Sequence, residues 1–130
     1  MEIIAREKAL VRLANKASTD LSEKTGFIAE YDSGLKVSGG TNALGVITDG
    51  GAAESDVAIL GTFAGTLRGK ASGTIAVGNE LVVDSAGKVK ALPATSGTYT
   101  VVGIALEAAV ADELVEFAPL TPAATVVSAG

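Results

Sequence analysis

From residue 26 onward, apolar and polar positions alternate with a period of two, the pattern of half-buried strands. Phe27, Ala29 and Tyr31 fall on one side of the first strand, with Ile28 and Glu30 on the other. Asp32-Ser33-Gly34 has the chemistry of a tight turn, and residues 35–38 return from it. After the loop Gly39-Gly40-Thr41-Asn42 the pattern predicts a strand over 43–48, closed by Asp49-Gly50-Gly51. Residues 56–67 are the longest strand candidate. Val57, Ile59, Gly61 and Phe63 alternate inward there, and Gly61 and Gly65 permit a bend or bulge. Arg68-Gly69-Lys70 and Ser72-Gly73 interrupt the pattern. It resumes in a strand over 80–84, a turn at Ser85-Ala86-Gly87 and a return over 88–92. A longer loop over 93–98 precedes strands at 99–107 and 112–118. Residues 121–130 carry neither charge nor alternation and read as a flexible C-terminal tail.

This order of elements occurs twice. Gly26 and Asp32 of the first pass match Gly78 and Asp84 of the second, and Gly45-Val46-Ile47 matches Gly103-Ile104-Ala105. Asp56 is aligned with Asp112. Two units of this size cannot each own a full core, so they must pack together. The expected fold is all-β: a small β-barrel or β-sandwich built from two similar hairpin units, occupying residues 19–120.

Residues 1–18 differ from the rest. Ile3, Leu10, Leu13 and Ala17, with Ile4, Val11 and Ala14, fit one face of a helix, yet the run from Ala9 to Ala14 suits a strand equally well. Ser18-Thr19-Asp20 then supplies breakers. The segment is expected to be an N-terminal arm, extended or a short helix, that becomes ordered on contact with a partner. The alternative is a helix packed on its own body.

Composition narrows the function. The 130 residues include no His, Cys or Trp, and aromatics make up 4%, so Val, Ile, Leu and Ala must fill the core. The usual proton shuttle, thiol nucleophiles and soft metal ligands are missing. Hydrophobic residues reach 48%, but no apolar run approaches the roughly 20 residues of a spanning helix, so part of that surface is expected to lie against other chains. Arg6, Lys8, Arg12 and Lys16 against Glu2 and Glu7 give residues 1–16 a net charge of +2, leaving −7 for the rest of a chain whose formal net charge is −5. An acidic body argues against nucleic-acid binding.

Candidate chemistry reduces to structure. Asp32-Ser33 and Asp84-Ser85 open turns, where both residue types bond to nearby backbone. A Ser–Lys dyad with Lys36 or Lys88 lacks an apolar setting that would lower the lysine pKa. Glu107 with Asp112 and Glu113, and Asp49 with Glu54 and Asp56, lack the regular spacing of a calcium loop. Lys88 follows a hairpin turn as a carrier-domain lysine does, but Gly87 and Val89 flank it, unlike the motifs of biotinyl or lipoyl modules. The chain is expected to be no enzyme, to hold no cofactor or metal, and to bind neither nucleic acid nor membrane.

The run from Lys70 to Val89, with Val102 to Ala109, Asp112 to Phe117 and Asp20 to Phe27, resembles tailed-bacteriophage capsid cement, or head decoration, proteins. The resemblance spans about residues 19–118. It implies a β-barrel-like, non-enzymatic protein on the outer surface of the virion that binds the major capsid protein of the expanded head and stabilises the shell. It also implies a homotrimer, formed before or on the capsid. Read with the charge and apolar pattern of the arm, it makes Ile3, Ile4, Arg6, Leu10, Val11, Arg12 and Leu13 the expected capsid contacts. The rival reading is a non-enzymatic β-sandwich that binds a ligand or receptor on a virion or cell surface.

Overall fold

The computed structural model describes residues 10–61 and 65–128. They form ten strands: β1 (Leu10–Ala14), β2 (Ile28–Tyr31), β3 (Leu35–Val37), β4 (Gly45–Asp49), β5 (Glu54–Ile59), β6 (Leu67–Lys70), β7 (Glu80–Val83), β8 (Val89–Ala91), β9 (Gly97–Ala105) and β10 (Leu114–Val127). Two five-stranded antiparallel sheets result, in the orders β1-β5-β4-β2-β3 and β6-β10-β9-β7-β8. This is an all-β arrangement consistent with a β-sandwich. Neither sheet closes into a barrel. The edge strands of each sheet meet at one parallel bridge only, Asn15 with Leu35 and Ala71 with Val89. Closure needs a continuous ladder, and β3 and β8 are three residues long.

The two sheets have the same strand order, so β1 to β5 correspond to β6 to β10. Their backbone hydrogen bonds repeat as well. Gly26 N donates to Ile47 O, and Gly78 N to Ala105 O, both at 2.8 Å. Ser38 N donates to Ile28 O, and Leu92 N to Glu80 O, both at 2.8 Å. Asn15 N donates to Ala53 O, and Ala71 N to Glu113 O, again at 2.8 Å. The matches of Gly26 with Gly78 and Gly45 with Gly103 hold in this register. The match of Asp56 with Asp112 does not: Arg12 pairs with Asp56 in the first sheet and Arg68 with Glu116 in the second, so Glu116 is the counterpart.

Three element boundaries differ from the sequence reading. The single strand expected over 56–67 is two strands in different sheets. β5 ends at Ile59, and Gly61, at φ +89°, takes a backbone conformation that glycine adopts without strain. Residues 10–14, expected within an arm, form a strand on β5 of their own body and no helix. Residues 121–127, expected in a tail, continue β10, where Ala123 to Val127 pair with Val101 to Gly97 beyond an irregularity between Pro119 and Ala123. Proline has no N–H to give to a ladder, and the uncharged sequence around Pro119 and Pro122 hides the strand that resumes behind them. Ile3, Ile4, Arg6 and Phe63 lie outside the described residues.

The core is aliphatic, with Phe117 the largest of its fully buried side chains. One cluster spans both sheets: Ile28, Val46, Ala58 and Leu60 of the first meet Leu67, Leu81, Val89, Val115 and Phe117 of the second. A smaller cluster, Leu21, Phe27, Ala29, Leu35, Ile47 and Val57, covers the other face of the first sheet. The centre of the first sheet is therefore buried on both faces.

Candidate contact surface

β1 is an edge strand, hydrogen-bonded to β5 along one side. Alternate backbone groups of such a strand point away from the sheet. The chain thus offers a strand edge where the sequence places its most distinct segment. Leu10 and Val11 are exposed, at 46% and 37%. Arg12 and Leu13 serve the body. Leu13 packs against the smaller core cluster. The Arg12 guanidinium lies 2.7 Å from Asp56 Oδ1 and 3.5 Å from Glu54 Oε1. Its hydrogen bond to Asp56 is the main reason its pKa rises further still.

Behind β1 lies a polar network that sequence reasoning missed. Asn15 Nδ2 donates to Gly51 O at 2.8 Å and to Thr19 O at 3.1 Å. Ser55 Oγ donates to Asn15 Oδ1 at 2.9 Å and accepts from Gly51 N at 3.1 Å. Ser55 is fully buried, so its hydroxyl depends on these partners. Ser55 stands one residue before the strand expected over 56–67, so nothing in the local pattern drew attention to it.

The groups that might carry chemistry are occupied in structural roles. Asp84 Oδ1 accepts from Ala86 N at 2.8 Å and Lys88 N at 2.9 Å, which shapes the second hairpin. Lys88 Nζ lies 2.8 Å from Asp112 Oδ1. Lys16 Nζ lies 2.9 Å from Asp32 Oδ2, with Lys36 Nζ at 4.0 Å from the same oxygen. These hydrogen bonds and charges hold the Asp32 and Asp112 carboxyls below their usual range, and the Asp112 hydrogen bond raises Lys88. Glu107 accepts from Glu116 N, and Glu113 from Val110 N, both at 2.9 Å. Among the described residues no group of acids is gathered as a metal site.

A second surface was not foreseen. Ile104 on β9 and Leu106 just beyond it, with Leu120 on β10, are exposed at 36%, 46% and 40%. In the first sheet the counterparts of Ile104 and Leu120 are Val46 and Leu60, which are 1% and 4% exposed. The second sheet therefore leaves open a face that the first sheet buries.

The crystal structure of the head fiber gp8.5 N base of bacteriophage phi29 has a similar fold, with a TM-score of 0.58 at 18% identity over 86% of this chain and 95% of that one. No curated protein matches the chain. The pattern of the phage cement protein family matches residues 4–118, nearly the whole body together with β1. The chain belongs to the phage cement protein family, and is a non-enzymatic structural protein at the capsid surface of the phage head.

Proposed function

We propose that this protein cements the expanded head by binding its major capsid protein from outside, as a homotrimer. Residues 1–13 lead the contact. Ile3, Ile4 and Arg6, followed by Leu10 and Val11, supply apolar contact and positive charge, while Arg12 and Leu13 tie the segment to the body. The observation that carries the reading is the edge strand β1, which presents exposed Leu10 and Val11 directly after the basic start of the chain. The fold shared with the base of a head fiber also fits a module seated on a phage head.

The mechanism is linkage. A ligand that binds the assembled shell and not its separated parts stabilises the assembly in proportion to its occupancy. A trimer that touches several capsid subunits at once makes each modest contact count more than once. The test deletes residues 1–9 and compares binding to expanded heads. The truncated chain should keep its strand-rich circular dichroism and lose at least tenfold in affinity. Undiminished binding would remove the role given to this segment.

A further inference from the structure

The packing between the two halves of the chain supplies a template for packing between copies. The row Ile28, Val46 and Ala58 runs across the first sheet in register. All three are buried in the cluster shared with the second sheet. Their counterparts Glu80, Ile104 and Ala118 form the same row across the second sheet, and there the face is open. The first sheet's face sits on the β6 edge of the second. A groove of about 160 Å³ between them is lined by Gly26, Val46 and Thr48 on one side and Leu67, Arg68 and Leu114 on the other. The Lys70 N–H on that edge donates to Gly26 O at 2.8 Å. This is a face-to-edge contact, so it leaves one face and one edge over.

Both leftover parts are present in matching form. Gly26 and Gly78 adopt nearly the same backbone, φ +93° and +88°. A Cβ on Gly26 would lie 2.7 Å from Leu114 Cδ2 and 3.6 Å from Lys70 N, whereas one on Gly78 would meet nothing within 4 Å. Gly78 is thus the same docking point without its partner. Beside it, Val77 is 66% exposed. The leftover edge is β1. Asn15 N bonds to Ala53 O as Ala71 N bonds to Glu113 O. In an antiparallel ladder this directs the preceding N–H, of Ala14 as of Lys70, away from the sheet. Lys70 finds Gly26 O, while the Ala14 N–H meets no counterpart carbonyl among the described residues.

We infer that the open face of the second sheet, around Gly78, Val77 and Ile104, docks on the β1 edge of a second copy of this chain, with the Ala14 N–H donating to Gly78 O. Glu80 replaces Ile28 at this contact, and the edge it meets carries Lys16 beside the first hairpin, where the internal contact has the longer second hairpin. The contact joins unlike surfaces, so each copy both gives and receives one, and copies close into a ring or run on as a filament. The inference deepens the proposed trimer by assigning its surfaces. It leaves Ile3, Ile4, Arg6, Leu10 and Val11 to the shell.

The test uses the full chain in sedimentation experiments and on expanded heads. Ile104→Asp alters the face, and Ala14→Pro removes the edge N–H without touching a bond to β5. Each variant should retain its circular dichroism and sediment as a monomer under conditions where the wild type is a closed oligomer. Mixing the two should restore a heterodimer, because one supplies an intact edge and the other an intact face. Variants that assemble like the wild type, or a mixture that stays monomeric, would overturn the assigned surfaces and leave self-association standing. The chain has no cysteine, so an Ala14→Cys/Val77→Cys variant oxidised on loaded heads gives an independent readout that does not need Ala14→Pro to fold. Disulfide-linked oligomers are expected. A wild type monomeric in solution, together with no cross-linking on heads, would overturn both the surfaces and the trimer.

Discussion

The glycines at the start of β4 and near the end of β9 offer the sharpest test of how closely the strands pack. Gly45 and Gly103 occupy equivalent places, each opposite the neighbouring strand, β5 or β10. A Cβ on Gly45 would stand 2.2 Å from Ala58 O and 2.7 Å from Val57 Cγ1. One on Gly103 would stand 2.3 Å from Phe117 Cδ2 and 2.6 Å from Ala118 O. A carbonyl oxygen in a ladder cannot move without stretching its hydrogen bonds, and Phe117 is fully buried. Overpacking a core commonly costs 1–3 kcal/mol. With backbone and ring both in the way, each Gly→Ala change should cost about 3 kcal/mol, the top of that range. That is a large share of the roughly 5–15 kcal/mol that holds a domain together. It corresponds to a fall in Tm of roughly 10 °C for a chain of this length. Gly73→Ala is the control. A Cβ there meets nothing within 4 Å, so the change should be neutral or stabilise slightly by reducing unfolded-state entropy. Urea unfolding followed by circular dichroism measures all three. Wild-type stability for Gly45→Ala and Gly103→Ala would refute the close strand approach.

Two further outcomes follow from the polar contacts. Asn15→Ala removes the donor that serves Gly51 O and Thr19 O and the acceptor for the buried Ser55 hydroxyl, and should cost about 2 kcal/mol in urea unfolding; Asn15→Ala together with Ser55→Ala should lose less than the sum of the two single changes. Asp32 and Asp112 have carboxyl pKa values lowered by Lys16 and Lys88, so their contribution is complete above the unfolded-state value near ~3.9 and is lost as pH falls through the lower folded values. Thermal melts should therefore show little change from these pairs between neutrality and about pH 5 and a decline below about pH 4, and Asp112→Asn should flatten that decline.

What the sequence revealed and concealed follows from local physics. Gly26, Asp32 and Gly45 find their counterparts at Gly78, Asp84 and Gly103 because turns and close strand approaches restrict residue choice. The fourth match failed because acidic residues recur in many solvated turns. Asp112 lies in the turn before β10, with φ +70°, whereas Asp56 lies within β5 opposite Arg12. β1 was hard to read as a strand because only Leu13 of its apolar residues turns toward the core, so its alternation is weak. The network of Asn15 and Ser55 depends on residues 40 positions apart, and no local pattern announces it. The open face around Ile104 could be recognised only when the paired registers aligned it with buried Val46.

The central claim is that this cement protein works by binding and bracing an assembled shell. Its most direct test measures the thermal rupture of purified expanded heads, by release of packaged DNA, with and without the protein added to saturation. Decorated heads should rupture at a temperature several degrees higher, with the increase rising and levelling off with occupancy. Equal rupture temperatures at full occupancy, or no binding to the heads of its own phage, would contradict the account.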